Sequence, residues 1–145
     1  MHWLRADLRS WNDMSRLSPL GPFDIILDKS TSDAVATAAS PSFSPEMTPQ
    51  TDICPTVRHI IERNGPTTTT MSPVEVLGLH LAELTRPGAT WATLSYSTMR
   101  FDNLRCLEGY WELVSRTPVK APQGETSAFA YTPEVFHWIY ILRRR

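Results

Sequence analysis

Short apolar runs alternate with helix-like patterns along this chain, a pattern that is typical of strand-helix-strand units and a mainly parallel sheet. The clearest run spans Phe23 to Leu27, follows a turn containing proline and glycine, and ends at Asp28. Trp3 to Ala6 predicts an earlier strand that ends at Asp7, and Ala89 to Ser95 predicts a later one. The pattern therefore predicts the α/β fold class.

Helical stretches separate these runs. The best marked one begins at Ser72, because Pro73 suits the first helical position and Glu75 completes a Ser-x-x-Glu capping box. Its apolar residues recur at three- and four-residue steps and predict one buried face: Val74, Leu77, Leu81 and Leu84. The other predicted helices are Leu8 to Leu17, Asp33 to Ala39 and Thr56 to Asn64.

The end of the chain predicts two further strands, Tyr110 to Thr117 and Phe136 to Leu142. A polar loop beginning at Pro118 joins them without a clear helix, so we expect an antiparallel pair. Residues 40–70 are rich in Pro, Ser and Thr and read as an insertion whose flexible core is Ser40 to Pro55. We interpret residues 1–145 as a single domain that carries this insertion.

Composition limits the functional classes. With 145 residues and 41% hydrophobic content the chain can bury one modest core. Its net charge of -1 provides no overall field for nucleic acid or for an anionic membrane surface. No segment has the length of a membrane helix or the form of a signal peptide. Cys54 and Cys106 lack metal-ligand spacing, which predicts reduced thiols, no metal and a cytoplasmic location.

Acidic residues follow two of the predicted strands. Open α/β sheets bind ligands at the carboxyl ends of their strands, which is where Asp7 and Asp28 are expected to lie. A carboxylate there can accept hydrogen bonds from the exocyclic amine or the ribose hydroxyls of a nucleotide. Each aspartate is equally suited to cap the helix that follows its strand, so both interpretations stay open.

The segment Phe23 to Ala34 places Asp28, Lys29 and Thr31 directly after a β-rich run. It resembles the Asp-Lys-Gly-Thr segment at the fourth strand of the seven-strand, Rossmann-like S-adenosylmethionine-dependent methyltransferases, in a branch that includes protein-lysine methyltransferases, several of which act on translation elongation factors. Trp3 to Leu8 is similar to the third strand and its adenine-contacting acid. Leu84 to Trp91 resembles the turn before the fifth strand, and Ser95 to Arg100 resembles the stretch that continues that strand. His137 to Arg143 resembles the closing strand.

The resemblance implies a partial Rossmann-like methyltransferase fold made of strands three to seven, with an antiparallel last strand. The family's sheet order is 3-2-1-4-5-7-6, and its N-terminal, glycine-rich βαβα part has no counterpart in this sequence. An isolated third strand would have to dock elsewhere or fray. We therefore expect the chain to be the C-terminal portion of such a domain, as a truncated product, a partial gene model or half of a decayed enzyme.

The resemblance also implies the site. The cofactor, S-adenosylmethionine, is expected to contact Asp7, Leu8 and Asp28. The catalytic, acceptor side is expected to contain Asp28, Lys29, Thr31 and Asp33. An alternative for Lys29 is a surface ion pair with Asp33, four residues further on. Ser30 stands where the family has glycine, at a position that can require a positive φ.

The function implied is methyl transfer from S-adenosylmethionine to a lysine side chain of a protein substrate, such as a translation factor, in the intact enzyme. Two alternatives remain, a methyltransferase with a small-molecule acceptor and a non-catalytic, partner-binding remnant. Trp91, Trp111 and Trp138 lie in strand-like runs and are expected in the core rather than in a substrate cage. His59 and His80 have no partners at a metal-ligand spacing.

Overall fold

The computed structural model describes residues 3–44, 46, 52–122 and 134–145. Its strands are β1 (Phe23–Lys29), β2 (Ser42–Phe43), β3 (Thr69–Thr70), β4 (Thr85–Ser95), β5 (Trp111–Lys120) and β6 (Phe136–Arg144). Its α-helices are α1 (Trp11–Ser15), α2 (Thr31–Val35), α3 (Pro55–Arg63) and α4 (Pro73–Glu83). Short 3-10 turns cover Ser18–Leu20 and Arg105–Leu107.

The main sheet has the strand order β1-β4-β6-β5. β1 and β4 run parallel, and both pairings of β6 are antiparallel. The antiparallel pair predicted at the end of the chain is therefore confirmed. The chain has a mixed α/β fold with a mixed four-stranded sheet, which is compatible with the expected partial α/β architecture.

The segment between β1 and β4 forms the helical layer that covers one face of the sheet. α4 begins at the predicted capping box: the Ser72 hydroxyl accepts from the Glu75 N–H, and the Glu75 carboxylate accepts from the Ser72 N–H at 2.8 Å. The helix is buried on nearly all sides, because α3 and the turn at Arg105–Leu107 pack around it. It is more deeply buried than the single predicted face implied.

Part of the Pro/Ser/Thr-rich segment has regular structure. β2 and β3 form a two-stranded antiparallel sheet, and α3 lies close to the helix predicted at Thr56 to Asn64. Phe43, Ile53 and Cys54 are buried inside the predicted insertion. Residues 45 and 47–51 lie outside the described part of the chain.

The hydrophobic core lies between the sheet and α3 and α4. Trp91, Trp111 and Tyr140 contribute its large aromatic side chains, with Trp91 in edge contact with both Trp111 and Phe101. Trp91 and Trp111 are therefore core residues, as predicted, and Trp138 is half-buried. The aliphatic residues of the core include Val57, Ile61, Leu77, Leu79 and Leu142.

The strand predicted at Trp3 to Ala6 is wrong. These residues have no regular structure, and the Trp3 side chain is 87% exposed. They pair with no strand of the described sheet, and an unpaired strand leaves its backbone groups unsatisfied. The described sheet therefore contains four of the five strands that the sequence predicted, without the one at Trp3 to Ala6.

Several predicted boundaries also move. The helix predicted at Leu8 to Leu17 is reduced to α1, because Ser10 caps it and Pro19 lies in the following 3-10 turn. The helix predicted at Asp33 to Ala39 starts earlier, at Thr31, because Asp28 binds its first N–H groups. β4 begins at Thr85, before the predicted Pro87-containing turn, which the sheet accommodates as an irregularity in its pairing with β1.

No helix among the described residues is long and apolar enough to cross a membrane. Both cysteines are free thiols.

Candidate functional site

The carboxyl ends of β1 and β4 meet because the two strands are parallel neighbours. Asp28 is the last residue but one of β1, and its carboxylate accepts hydrogen bonds from the Thr31 N–H at 2.7 Å and from the Ser32 N–H at 3.2 Å. The Thr93 hydroxyl on β4 donates to the same carboxylate at 2.6 Å. Asp28 is buried, and these contacts use both of its oxygens. The capping interpretation of Asp28 is thus realised, and the side chain fixes α2 against the sheet.

Ser30 forms the tight turn between Asp28 and α2. Its φ of 59° lies in the left-handed region, so this position requires the positive φ that its place in the motif predicted. The turn directs the first N–H groups of α2 toward the Asp28 carboxylate. A β-carbon is carried here at a steric cost that glycine would avoid.

Asp33 is the centre of a polar cluster at the end of β4. Its carboxylate accepts from the Ser95 hydroxyl at 2.5 Å and from the Tyr96 N–H at 3.0 Å. The guanidinium of Arg100 donates to it through Nε at 2.8 Å and forms an ion pair through a terminal nitrogen at the same distance. The side chains of Asp33 and Arg100 are only 14% and 19% exposed, respectively. We call Asp33, Ser95, Tyr96 and Arg100 the Asp33 cluster.

Tyr140 on β6 holds the loop that carries Arg100. Its hydroxyl donates to the Ser97 carbonyl at 2.6 Å and accepts from the Arg100 N–H at 3.3 Å. Its ring is fully buried. Sequence reasoning missed Tyr140 and gave Ser95 and Arg100 no place in the site. The resemblance of Ser95 to Arg100 to a family segment was the available signal, while Tyr140 is 43 residues from Ser97 and carries no local one.

Lys29 and Thr31 differ in their surroundings. Lys29 is exposed on the sheet face opposite the helices, and its ammonium has no hydrogen bond or ion pair with another described residue. The alternative pairing of Lys29 with Asp33 is wrong, because Arg100 occupies the Asp33 carboxylate. Thr31 lies at the first position of α2, half-buried beside Asp28.

Two of the three predicted cofactor residues, Asp7 and Leu8, lie in the segment before α1. Asp7 is exposed and binds Arg9 in an ion pair at 2.9 Å; side-chain and backbone hydrogen bonds from Arg9 lower the pKa of Asp7 to about 2. The Leu8 carbonyl contacts Nδ1 of the buried His80 at 3.2 Å, which ties this segment to α4. Asp52, which the sequence did not single out, accepts from the Ser10 hydroxyl at 2.5 Å.

Two cavities adjoin these residues. A cavity of about 150 Å³ brings Leu8 together with Asp28 and Thr31. A larger one, of about 520 Å³, has Asp7, Arg9 and Asp52 as its charged lining. Its remaining wall is mostly apolar: Ala38, Ala39, Pro41, Phe43, Ile53, Pro73 and Val76, with Ser10 as a further polar residue. Its volume falls within the range of small-molecule sites, about 300–1,000 Å³.

The structure thus divides the predicted site residues into two groups. Asp28, Thr31 and Asp33 lie together at the ends of β1 and β4, with Lys29 on the opposite face of the sheet. Asp7 lines the larger cavity. Leu8 belongs to the smaller cavity and is the link between the two groups.

The larger cavity can hold a flat, partly apolar molecule. Its carboxylates can accept hydrogen bonds from amine or hydroxyl groups, while Phe43 and the prolines can contact a ring. Among the residues that the structure describes, no three His, Cys, Asp or Glu side chains gather in a metal-binding arrangement. No family model, curated protein or solved structure matches the chain.

Proposed function

We propose that this chain forms the C-terminal part of a Rossmann-like domain that transfers a methyl group from S-adenosylmethionine to a lysine side chain of a protein. The observation that carries the proposal is the sheet order β1-β4-β6-β5, with a parallel first pair and an antiparallel β6. It is the order 4-5-7-6 that the resemblance implies for those four strands. The order and direction of the four strands depend on pairings between residues far apart in the chain. Similarity of short local motifs does not by itself produce this arrangement.

The larger cavity supports an adenosine site. Asp7 lies at its lining, as the resemblance implies for the acid that meets the adenine amine, and Phe43 provides an aromatic wall. The low pKa of Asp7 keeps its carboxylate ionised and able to accept. Ala38 and Ala39, just after α2, join the cavity to the element that Asp28 anchors.

The described residues suit one end of the cofactor only. None of them forms the glycine-rich strand-turn-helix that lets a backbone approach the methionine and ribose closely. When bound, S-adenosylmethionine supplies an electrophilic methyl group on a sulfonium. Because positive charge moves rather than forms, catalysis depends on positioning and on excluding water. The role of Asp7 in this proposal is therefore binding, and a further polypeptide segment would have to complete the site.

For the acceptor side, we assign Asp28 and Asp33 to positioning. Asp28 holds α2 and Thr31 at the end of β1, and Asp33 holds the loop after β4 through Arg100. The lysine that receives the methyl group has an ordinary pKa of about 10.4 and must react as the neutral amine. Hydrogen-bond acceptors such as backbone carbonyls would have to orient that amine.

A small-molecule acceptor would use the same fold with a different pocket beside Thr31. A protein substrate such as a translation factor is favoured by the Asp28-Lys29-x-Thr31 motif alone. The two free thiols agree with the proposed cytoplasmic location.

The test is calorimetric titration of the folded chain with adenosine and with S-adenosylhomocysteine. We expect both to bind, and Asp7→Asn to weaken both by about tenfold, because one charge-assisted hydrogen bond is lost. The matched control is Asp24→Asn, which removes another exposed carboxylate paired with an arginine, Arg86. If neither compound binds a chain that circular dichroism shows to be folded, or if both variants behave alike, the adenosine assignment fails.

A further inference from the structure

One edge of the main sheet is unpaired in the described structure. β1 is the first strand in the order and pairs with β4 alone. The Ser30 N–H points toward β4, because it donates to the Leu94 carbonyl at 2.8 Å. Along a strand, successive N–H groups point alternately to one neighbouring strand and to the other. The N–H groups of Ile25, Leu27 and Lys29 therefore point away from β4, toward the free edge.

The same strand borders a bare sheet face. α2, α3 and α4 lie on the side of Trp91 and Tyr140. The apolar residues of the opposite side, which we call the open face, are Ile25, Leu27, Ala92, Leu94, Ile139 and Ile141. Leu27 is 82% and Ile25 65% exposed, and a shallow groove of about 310 Å³ runs past Leu27 and Ile139. Parallel strands are normally covered on both faces.

The right-handedness of crossover connections links the free edge of β1 to the open face of the sheet. The connection from β1 to β4 passes through α2, α3 and α4 on the core side. Connections between parallel strands are almost always right-handed, so a connection to a strand on the other side of β1 places its helix on the opposite face. One strand-helix unit would therefore pair the edge and cover the open face together.

A second copy of the chain would satisfy less of this surface. Pairing two β1 strands about a two-fold axis places Ile25 opposite Leu27 and fills the edge, but it leaves Ala92, Leu94 and Ile139 uncovered. Only an occupant that contributes both a strand and a helix accounts for both features.

The charged residues at the two ends of the open face indicate where a docked helix would carry its own charge. Lys29 stands at one end of the open face with no ionic partner among the described residues. Arg143 stands at the other end, opposite Glu112 on β5. A helix with an apolar face and an acidic residue near Lys29 complements this distribution.

We propose that β1 and the open face bind a separate polypeptide that adds a parallel strand beside Phe23–Lys29 and lays an amphipathic helix, acidic at one end, across Leu27, Leu94 and Ile139. The docking follows from β1 and the sheet face. That this unit completes the cofactor site is a consequence that rests on the proposed function. The unit would lie beside the carboxyl end of β1, where the proposed function requires the rest of the cofactor-binding part.

The first experiment places the photocrosslinker benzoylphenylalanine at Leu27 of the full chain, in the cells that produce it. The matched control places it at Leu20, a 50% exposed leucine in the 3-10 turn outside the sheet. We expect a crosslink from position 27 to a segment that carries a β-strand next to a helix, and none from position 20. The crosslinked protein is then purified and added to the chain.

Amide hydrogen exchange with this protein decides the mode of binding. We expect the amides of Ile25, Leu27 and Lys29 to exchange rapidly in the chain alone and to become protected in the complex. Leu27→Lys should weaken binding by about tenfold or more, while Leu20→Lys leaves it unchanged. Because both leucines are exposed, neither variant should disturb folding.

Three results would overturn the proposal: equal crosslinking from both positions, crosslinks to a second copy with dimers in sedimentation, or protection of the three amides in the monomeric chain alone. The outcome is separable from the methyltransferase assignment. Protection of the edge amides without any binding of S-adenosylhomocysteine would keep the docking proposal and reject the function.

Discussion

Arg100 contacts Asp33 through two guanidinium nitrogens, each 2.8 Å from the same carboxylate oxygen, across 67 residues of sequence. The contact ties the loop after β4 to α2, and Ser95 and Tyr96 donate to the same carboxylate. Because both charged side chains are largely buried, the pair is shielded from the screening that weakens surface ion pairs.

Asp33→Asn should therefore lower the free energy of unfolding by about 2–4 kcal/mol, since it leaves a buried guanidinium without its counter-charge. Urea denaturation followed by tryptophan fluorescence measures the change. Asp102→Asn is the matched control: it breaks the more exposed pair with Arg116 and should cost less than about 1 kcal/mol. Equal costs for the two variants would show that the Asp33 cluster does not stabilise the fold.

Thr93→Val tests the bond that fixes Asp28. The substitution keeps the shape of the side chain and removes the hydroxyl that donates to the buried carboxylate at 2.6 Å. We expect a loss of about 1.5–3 kcal/mol, the usual range for a hydrogen bond to a charged group. Thr90→Val makes the same change on the open face of β4 and should shift stability by less than about 0.5 kcal/mol. A neutral Thr93→Val would mean that Asp28 is adequately held by α2 alone.

Ser30→Gly should stabilise the protein by about 1 kcal/mol, because glycine adopts the left-handed conformation without a steric penalty. Asn103 has the same φ of 59° and provides the comparison. Asparagine tolerates this region well, so Asn103→Gly should give a smaller gain. Thermal unfolding of both variants measures the difference, and a destabilised Ser30→Gly would contradict the argument.

Acid should destabilise the fold through His80. Its imidazole is fully buried, Nδ1 contacts the Leu8 carbonyl, and Nε2 has no hydrogen-bond partner among the described residues. Burial lowers the pKa of His80 below its ordinary value of 6.5. The unfolded chain therefore binds the proton first. The stabilising contribution of neutral His80 is present above pH 6.5 and is lost as the pH falls from there toward the lowered pKa.

The measurement is the free energy of unfolding at pH 7.5 and at pH 5.5, where His80 can contribute up to about 1.4 kcal/mol per pH unit. His80→Gln should flatten the pH dependence. His59→Gln, which changes an exposed histidine on α3, should leave it as in the parent. An unchanged slope in His80→Gln would assign the acid sensitivity to other groups.

Local sequence was a good guide wherever a few neighbouring residues decide the structure. The capping box at Ser72 and Glu75 forms as predicted, because all its atoms lie within one helical turn. The run from Phe23 to Leu27 becomes β1, and the requirement for a positive φ at Ser30 was visible in the motif. The prediction of a strand at Trp3 to Ala6 failed because it depends on more than neighbouring residues. These residues favour a strand, but a strand also needs a second strand to pair with.

What the sequence alone determined is therefore the set of local elements: the main strands, the capped helix α4, and the acidic residue near the end of β1, Asp28. Only the tertiary structure decided their partners. Arg100 takes Asp33 in place of Lys29, Tyr140 holds the loop after β4, and Asp52 joins Asp7 at the larger cavity. Chain closure brings these groups together over tens of residues, and no local periodicity encodes a contact of that range.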